Sequence, residues 1–408
     1  MSGALKVVIA GGGIGGLTLA GLLARRGIEV LVCEQSAALG EIGAGVQMSP
    51  NAVKVLRALG IEDALHDSAF APEHFTGWDW KSGRKIYQTP IKHVYERLYG
   101  APYLHVHRAD LHALLVSAVP ANRIRLNARV AEVVQRDDHV EVRLADGEVI
   151  ACDVLVGADG IHSAVRKAVF GDAPARFTGN MCWRGMVPTD VLPPGLVPPT
   201  ASNWLGPEGH VVHYYLRRGA MVNFVAVRET SNWTEESWTS PSSREELMSA
   251  FKGWNPRLLT LFEHASGVFK WGLFDRDPLD AWSRGGVTLL GDAAHPMLPF
   301  LAQGAAQAIE DAYALADWLA QPGIDPQAAL KLYEHERLGR TARVQLGARA
   351  RSRTMHLASP LARLKRNMRF RWQSIRDPEG TSHQAEWIYS HDVTAVRRTA
   401  PAEAALTV

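Results

Sequence analysis

Residues 6–34 read KVVIAGGGIGGLTLAGLLARRGIEVLVCE. An apolar run (6–10) is followed by a glycine cluster (11–16), an apolar stretch of helical spacing that stops at Gly27, and a second apolar run ending at Glu34. Short apolar runs without alternation suit strands buried on both faces, so the stretch predicts strand, turn, helix, strand: a βαβ unit of a parallel sheet. Gly11, Gly13 and Gly16 form G-x-G-x-x-G between the first strand and the helix. In that frame the first glycine permits a tight turn, the second lets backbone approach a pyrophosphate, and the third lets helix and strand pack closely. The helix N-terminus adds free N–H groups and a partial positive charge. Glu34 stands where a carboxylate meets ribose hydroxyls and disfavours a 2′-phosphate, so the expected dinucleotide is not NADP. This fingerprint alone leaves NAD and FAD both open.

The rest of the chain sets the frame around this unit. Its 408 residues suit two interleaved domains, and 47% hydrophobic with 21% charged residues is ordinary for a soluble enzyme. A net charge of +2 gives no global field toward nucleic acid or membrane, and neither partner is expected. Cys33, Cys152 and Cys182 are far apart and odd in number, which reads as reduced thiols with no disulfide framework and no metal site. The apolar start is broken by glycines and followed by Arg25-Arg26, unlike a cleaved signal, and no other run is long enough for a membrane span. A cytoplasmic protein is expected.

Asn51–Gly60 has helical spacing, YLHVH (103–107) is strand-like, and a helix is predicted from Ala109. Residues 123–159 alternate in short runs that predict an antiparallel meander returning to a buried strand. Residues 177–275 read as β-dominated with a helix near 244–252; 302–320 and 327–350 read as helices. Two further motifs follow the fingerprint. In DVLVGADGIHSAVR (153–166) a buried strand ends in Asp159-Gly160 before a helix. In GVTLLGDAAHPMLPFLAQGAAQAIEDA (286–312) a strand delivers Gly291-Asp292, then a proline-containing loop, then a helix of small residues. A ribityl chain needs a carboxylate for its hydroxyls, which Asp292 can supply, and a flavin's pyrimidine edge needs backbone N–H donors, which the loop into Gly304 can supply.

With these three motifs in order, the chain resembles the FAD-dependent aromatic hydroxylases of the p-hydroxybenzoate hydroxylase type, nearest the salicylate, 3-hydroxybenzoate and 6-hydroxynicotinate monooxygenases. The resemblance covers about residues 5–375. It implies an α/β fold: a Rossmann-like FAD-binding domain, with a parallel sheet and an antiparallel meander, interleaved with a β-sheet substrate domain and followed by a C-terminal helical region. The expected boundaries are 1–75, 101–176 and 276–330 for FAD binding, 76–100 and 177–275 for substrate, 331–375 for the helices, and 376–408 for a tail, loose or in an oligomer contact. The resemblance implies tightly but non-covalently bound FAD with NADH or NADPH as co-substrate. It assigns the ADP half to Gly11, Gly13, Ile14, Gly15, Gly16 and Glu34, and the remainder to Gln47, Arg108 of HRADLH (107–112), Asp159, Gly160, Gly291, Asp292, Pro299, Gly304 and Ala305. Glu34 does not decide between NADH and NADPH, because no second glycine fingerprint exists to hold the nicotinamide.

The implied reaction is hydroxylation of a small phenolic acid by O₂ through a flavin hydroperoxide. Electrophilic attack favours a phenolate, so a His or Tyr relay at the phenol oxygen is expected. In GHVVHYYL (209–216), His210 and Tyr214 are four apart and share one face of a strand, opposite His213 and Tyr215. This pattern resembles the catalytic pair of the 3-hydroxybenzoate and 6-hydroxynicotinate enzymes, and His210 is expected to titrate near neutrality. Gln303 matches a glutamine near the flavin, and Tyr103 is a further candidate for the cavity. Gln47 stands where the 6-hydroxynicotinate enzymes carry histidine, a departure from that subgroup. The role of Trp183-Arg184-Gly185 is open. The arginines from Arg337 to Arg371 have helical spacing without stacking aromatics, so a solvated helical face is expected and not a nucleic-acid site. Three rivals remain at this point: a flavin monooxygenase for a non-benzoate substrate, an NAD-dependent dehydrogenase using the fingerprint alone, and a non-catalytic flavin sensor. Monomer and homodimer are both open.

Overall fold

The computed structural model describes residues 5–40, 44–171, 175–231, 240–380 and 385–399. The fingerprint strand Lys6–Ala10 lies inside a six-stranded sheet whose order is Ser283–Arg284, Val287–Leu289, Val154–Gly157, Lys6–Ala10, Glu29–Cys33, Ile124–Arg125. All neighbours are parallel except the edge pair Ser283–Arg284 with Val287–Leu289. Val7, Val8, Ile9, Val154, Leu155 and Val156 are completely buried, as non-alternating strands must be when both faces are covered. The helix Ile14–Arg25 covers one face through Leu17, Leu19 and Leu23 and meets the helix Gly304–Leu319. Residues 130–152 form the meander, Val130–Gln135, Val140–Leu144 and Val149–Cys152.

Register puts Ala10 opposite both Cys33 and Gly157, and Gly157 opposite Leu289. The chain therefore leaves the sheet at Gly11, Glu34, Asp159 and Gly291 along one edge, the carboxyl ends of the strands, where open α/β sheets take their ligands.

An eight-stranded sheet faces that edge. Its order is Ser240–Pro241, Ser266–Asp275, Arg176–Pro188, Met221–Glu229, Gly209–Leu216, Ala201–Gly206, His74–Asp79, Lys85–Pro90. One face carries Trp183, Trp204, Val211 and Phe224 against Leu247 and Phe262 of two short helices, Arg244–Ala250 and Pro256–Glu263, and against Phe251 just past the first; only the first helix was expected. The opposite face carries Cys182, Val227 and Trp271 against Leu298 and Phe300 of the Gly-Asp loop and Ala348. All three cysteines are free and buried.

Two long helices follow. Pro326–Met355 starts at Asp325, which accepts from Ala328 N at 3.0 Å, and runs five residues beyond the expected end. Pro360–Arg376 starts at Ser359. The arginines here are not one solvated face. Arg337 has no exposed surface and Arg366 is 4% exposed, because carboxylates and helix-terminal carbonyls reach them. Residues 385–399 also differ from a loose tail. Ile388, Tyr389 and Val393 are buried, and Arg398 pairs with Glu336 and Asp317. Residues 381–384 and 400–408 of the expected tail lie outside the described residues.

Candidate active site

The three fingerprint glycines divide their work as their spacing suggests. Gly11 has φ +106°, and a Cβ there would meet Ala158 O at 2.4 Å. At Gly16 a Cβ would meet Gly11 O at 2.1 Å, so helix and turn touch only through glycine. At Gly13 nothing lies within 4 Å, which leaves the backbone bare toward the sheet edge. Ile14 is buried, and Gly15 packs so closely on Leu290 that a Cβ would come within 2.5 Å of it. Glu34 accepts from Gly12 N at 2.7 Å and Ser36 N at 2.9 Å. Burial raises its carboxyl, but these two N–H donors outweigh that and hold it below the usual range. His112, which the sequence did not single out, bonds Gly12 O through Nε2 at 2.8 Å and fixes the turn from below. Asp159 caps the next helix, accepting from Ala164 N at 2.8 Å and Val165 N at 3.2 Å, while Gly160 takes φ +78°.

Farther along the edge, Gly291 has φ +62° and donates its N–H to Asp311 at 3.1 Å. Asp292 is exposed, yet enclosure by protein raises its carboxyl above the usual range against the pull of His295 and Arg108. A group both accessible and desolvated lines a recess. Gly304 is beside it, with the site of a Cβ 3.8 Å from Asp292 Oδ1, and Gly304 and Ala305 open a helix whose first N–H groups have no partner within the helix. Arg108 is half-buried and donates its backbone N–H to Ala44 O at 2.8 Å. Pro299 opens the short turn Pro299–Leu301 that closes this end.

The second sheet supplies the far wall. Pairing places Cys182, Arg184, Val225, Val227, His210, Val212, Tyr214 and Asn203 on one face. His210 and Tyr214 do share it, while His213 turns to the other side and accepts from Trp204 Nε1 at 2.9 Å. His210 and Tyr214 are buried, while Val212 between them, Val225, Asn203 and Arg184 remain partly accessible. Four strand residues span about 13 Å, enough for one aromatic ring between two side chains. Asn203 Oδ1 and Arg184 Nε are buried and bond to nothing among the described residues, and the Arg184 guanidinium lies over the Trp271 ring at 4.4 Å. Gln47 joins the walls: it accepts from Tyr103 OH at 2.6 Å and also bonds the Tyr214 side chain.

An apolar, glycine-floored edge with a carboxylate at each end fits a dinucleotide, and the unpartnered polar atoms beyond it fit a small polar ring. The sequence family described as FAD binding domain matches residues 4–347. The chain belongs to the FAD-dependent aromatic hydroxylases. A 3-amino-4-hydroxybenzoate 2-monooxygenase of Streptomyces platensis is 43% identical over 361 residues, 88% of this chain and 91% of the relative. A 3-hydroxybenzoate 6-hydroxylase of Aquipseudomonas alcaligenes is 40% identical over 89% of this chain and 92% of its own. Klebsiella pneumoniae HpxO, solved with FAD and uric acid, superposes with a TM-score of 0.83 at 28% identity over 93% of this chain and 96% of that one. The hydroxylase is thus an FAD-dependent monooxygenase, which removes the dehydrogenase and sensor readings.

Two expected catalytic features of the hydroxylase differ from the sequence reading. Gln303 is 1% exposed and both ends of its amide are engaged: Nε2 donates to Ser49 Oγ at 2.9 Å, and Oε1 accepts from Asn51 at 3.1 Å and Gln307 at 3.2 Å. It belongs to a buried network and does not join His210 and Tyr214. That network is centred on Glu310 and Asp311, which are met by Arg337 Nη1 at 2.6 Å and Nε at 2.7 Å, with Arg340 Nε on Glu310 at 2.7 Å. The second difference concerns His210. Burial, with neighbouring His356 and Arg351, holds it well below the ordinary histidine range instead of near neutrality. Its Nδ1 is 2.7 Å from Nε2 of buried His356, whose Nδ1 is 3.5 Å from Glu229 at the surface. Tyr214 is raised to about 12 by burial, moderated by Arg184 and Gln47. His356 and His105, whose ring is tilted with its centroid 4.4 Å from that of Tyr214, are site residues that no local pattern announced, whereas Arg184 comes from the Trp183-Arg184-Gly185 segment whose role the sequence leaves open.

Proposed function

We propose that this hydroxylase uses NADH or NADPH and O₂ to hydroxylate a small phenolic acid of the hydroxybenzoate or aminohydroxybenzoate type. The observation that carries the reading is the partly accessible strip Val212, Asn203, Arg184 and Val225 between buried His210 and Tyr214, on the sheet face that packs on Leu298 and Phe300 of the Gly-Asp loop. In this reading Gly13, Glu34 and Asp159-Gly160 hold the ADP half of FAD, Asp292 takes the ribityl hydroxyls, and the backbone at Gly304-Ala305, with Arg108, takes the ring system. When bound and reduced, the flavin supplies activated oxygen for electrophilic transfer to the ring. The chain's own residues align the ring and manage its proton. Tyr214, held by Gln47, aligns the end of the ring away from His210, so that the phenol oxygen faces His210. Arg184, a cation on an aromatic face with an unused Nε–H, meets the substrate carboxylate. His210 is neutral and cannot store a proton cheaply in this burial, so it accepts one as it passes another to His356, and Glu229 delivers it to solvent.

The deciding experiment is a screen of monohydroxybenzoates, aminohydroxybenzoates and hydroxypyridine acids for stimulated NADH or NADPH oxidation, with product mass measured. A gain of one oxygen on a phenolic acid is expected; loss of CO₂ alongside it identifies ipso attack. Stimulation by none of these acids, with a non-acidic ring or alkene oxygenated instead, overturns the reading.

A further inference from the structure

The helix Pro360–Arg376 (PLARLKRNMRFRWQSIR) is docked along one side only. Arg366 donates to Met355 O at 2.9 Å, Phe370 meets the Tyr87 ring edge-on at 5.6 Å between centroids, and Ser374 Oγ donates to Gln88 O at 3.0 Å. At 100° per residue these positions share one side. The opposite side carries Leu361, Leu364, Met368, Trp372 and Ile375, which are 61%, 56%, 63%, 54% and 70% exposed. They fall within an arc of roughly 80°. Lys365, Arg369 and Arg376 flank this stripe on one side and Arg371 on the other, and no Asp or Glu occurs between Pro360 and Arg376. The Arg376 guanidinium lies over the Trp372 ring at 4.0 Å.

Single exposed apolar side chains are ordinary, but five in one continuous stripe mark a contact surface. We propose that this helix is an interfacial anchor that lays its apolar stripe into the surface of an anionic lipid bilayer, with the flanking cations among the headgroup phosphates. Charge selects this occupant. Two copies of the chain meeting through the stripe would bring Lys365, Arg369, Arg371 and Arg376 of each against the same set, with no acid on the helix to separate them. Size agrees, since a stable protein interface takes about 20–30 residues a side and this stripe offers five. An apolar band bounded by Lys and Arg, with a Trp at its edge, is what a helix lying in the bilayer interface needs. No helix among the described residues is long and apolar enough to cross a membrane, and lying on one requires no such length.

The test uses the full chain loaded with FAD, floated with vesicles of phosphatidylcholine alone or with about a third phosphatidylglycerol. Co-flotation is expected only with the anionic vesicles and should fall about tenfold or more at about 0.5 M salt. The variant L364S/M368S/I375S and the variant K365Q/R369Q/R371Q should each lose at least about tenfold in binding while keeping bound FAD and substrate-stimulated turnover. Absence of co-flotation with anionic vesicles, or undiminished binding by both variants, overturns the proposal. A sedimentation result in which the chain is a dimer that L364S/M368S/I375S dissociates also overturns it, by making a second copy the occupant.

Discussion

At the scale of single residues, the site depends on groups whose charge state burial has decided. Asp292 is the sharpest case, a carboxylate reached by solvent but poorly solvated, and therefore short of hydrogen bonds that ribityl hydroxyls can donate. Asp292→Ala should weaken FAD binding roughly ten- to a hundredfold, the worth of a charged hydrogen bond of about 1.5–3 kcal/mol, as read by fluorescence titration of the apoprotein. An unchanged dissociation constant would put the ribityl chain elsewhere. His210 is the second case. His210→Ala should retain FAD and substrate-stimulated reduction, while hydroxylation falls by about a hundred- to ten-thousandfold and oxygen leaves increasingly as hydrogen peroxide. His356→Ala should reproduce a milder version with an altered pH profile of kcat, because His210 then lacks its 2.7 Å partner. Equal hydroxylation without added peroxide in His210→Ala would reduce the pair to packing. That the two share a face was legible, because strand alternation is local. His356 was not, since it is 146 residues away in sequence and only the closed fold brings it to His210.

At the scale of elements, the turn into the first helix separates two roles that the same residue type performs. Gly16→Ala forces a Cβ against Gly11 O and should destabilise the folded chain whether or not FAD is present, by a few kcal/mol as for other overpacked cores. Gly13→Ala meets nothing within 4 Å, so the apoprotein should melt almost as the parent does while FAD affinity falls. Thermal melts of both apoproteins beside cofactor titrations check this; equal melting of the two would contradict the division of labour. This unit was readable because all its determinants lie within residues 6–34. Gln303 shows the converse. Its neighbours in sequence point to the flavin, but its amide is taken up by Ser49, which the chain brings from 254 residues away. Arg337 and Arg366 had helical spacing typical of a solvated face, and nothing local shows that Glu310 and Asp311 of another helix wait for Arg337.

At the scale of the molecule, neutral buried histidines couple the fold to acidity. Burial pushes His105 and His213 down to about 3 and His356 down to about 4, from an ordinary 6.5. The unfolded chain therefore takes up protons that the folded chain refuses. Stability should be level between about pH 6.5 and 8 and decline as pH falls from there toward 4, with a further decline below about 4.5 as Glu310 and Asp311, held low by their arginines despite burial, are protonated in the unfolded chain first. Melting temperatures across pH 4.5 to 8 test the sign, and a rise on acidification would refute it. His213→Gln should flatten part of the slope without touching turnover, because its side chain serves Trp204 on the far face of the sheet.

The order of strands in the six-stranded sheet has a consequence for how the protein is made. Lys6–Ala10 leaves the ribosome first, but its partner Val154–Gly157 and that strand's own neighbour Val287–Leu289 follow much later. Until they arrive the earliest strand shows a bare edge, which is open to pairing with other chains. The charges repeat the pattern. A nascent chain that stops between residues 311 and 337 holds Glu310 and Asp311 without the Arg337 that neutralises them, so translation cut short there yields a product that cannot bury its own acids. Completeness of the polypeptide is thereby written into its electrostatics, and truncated copies should be the ones that cellular quality control removes.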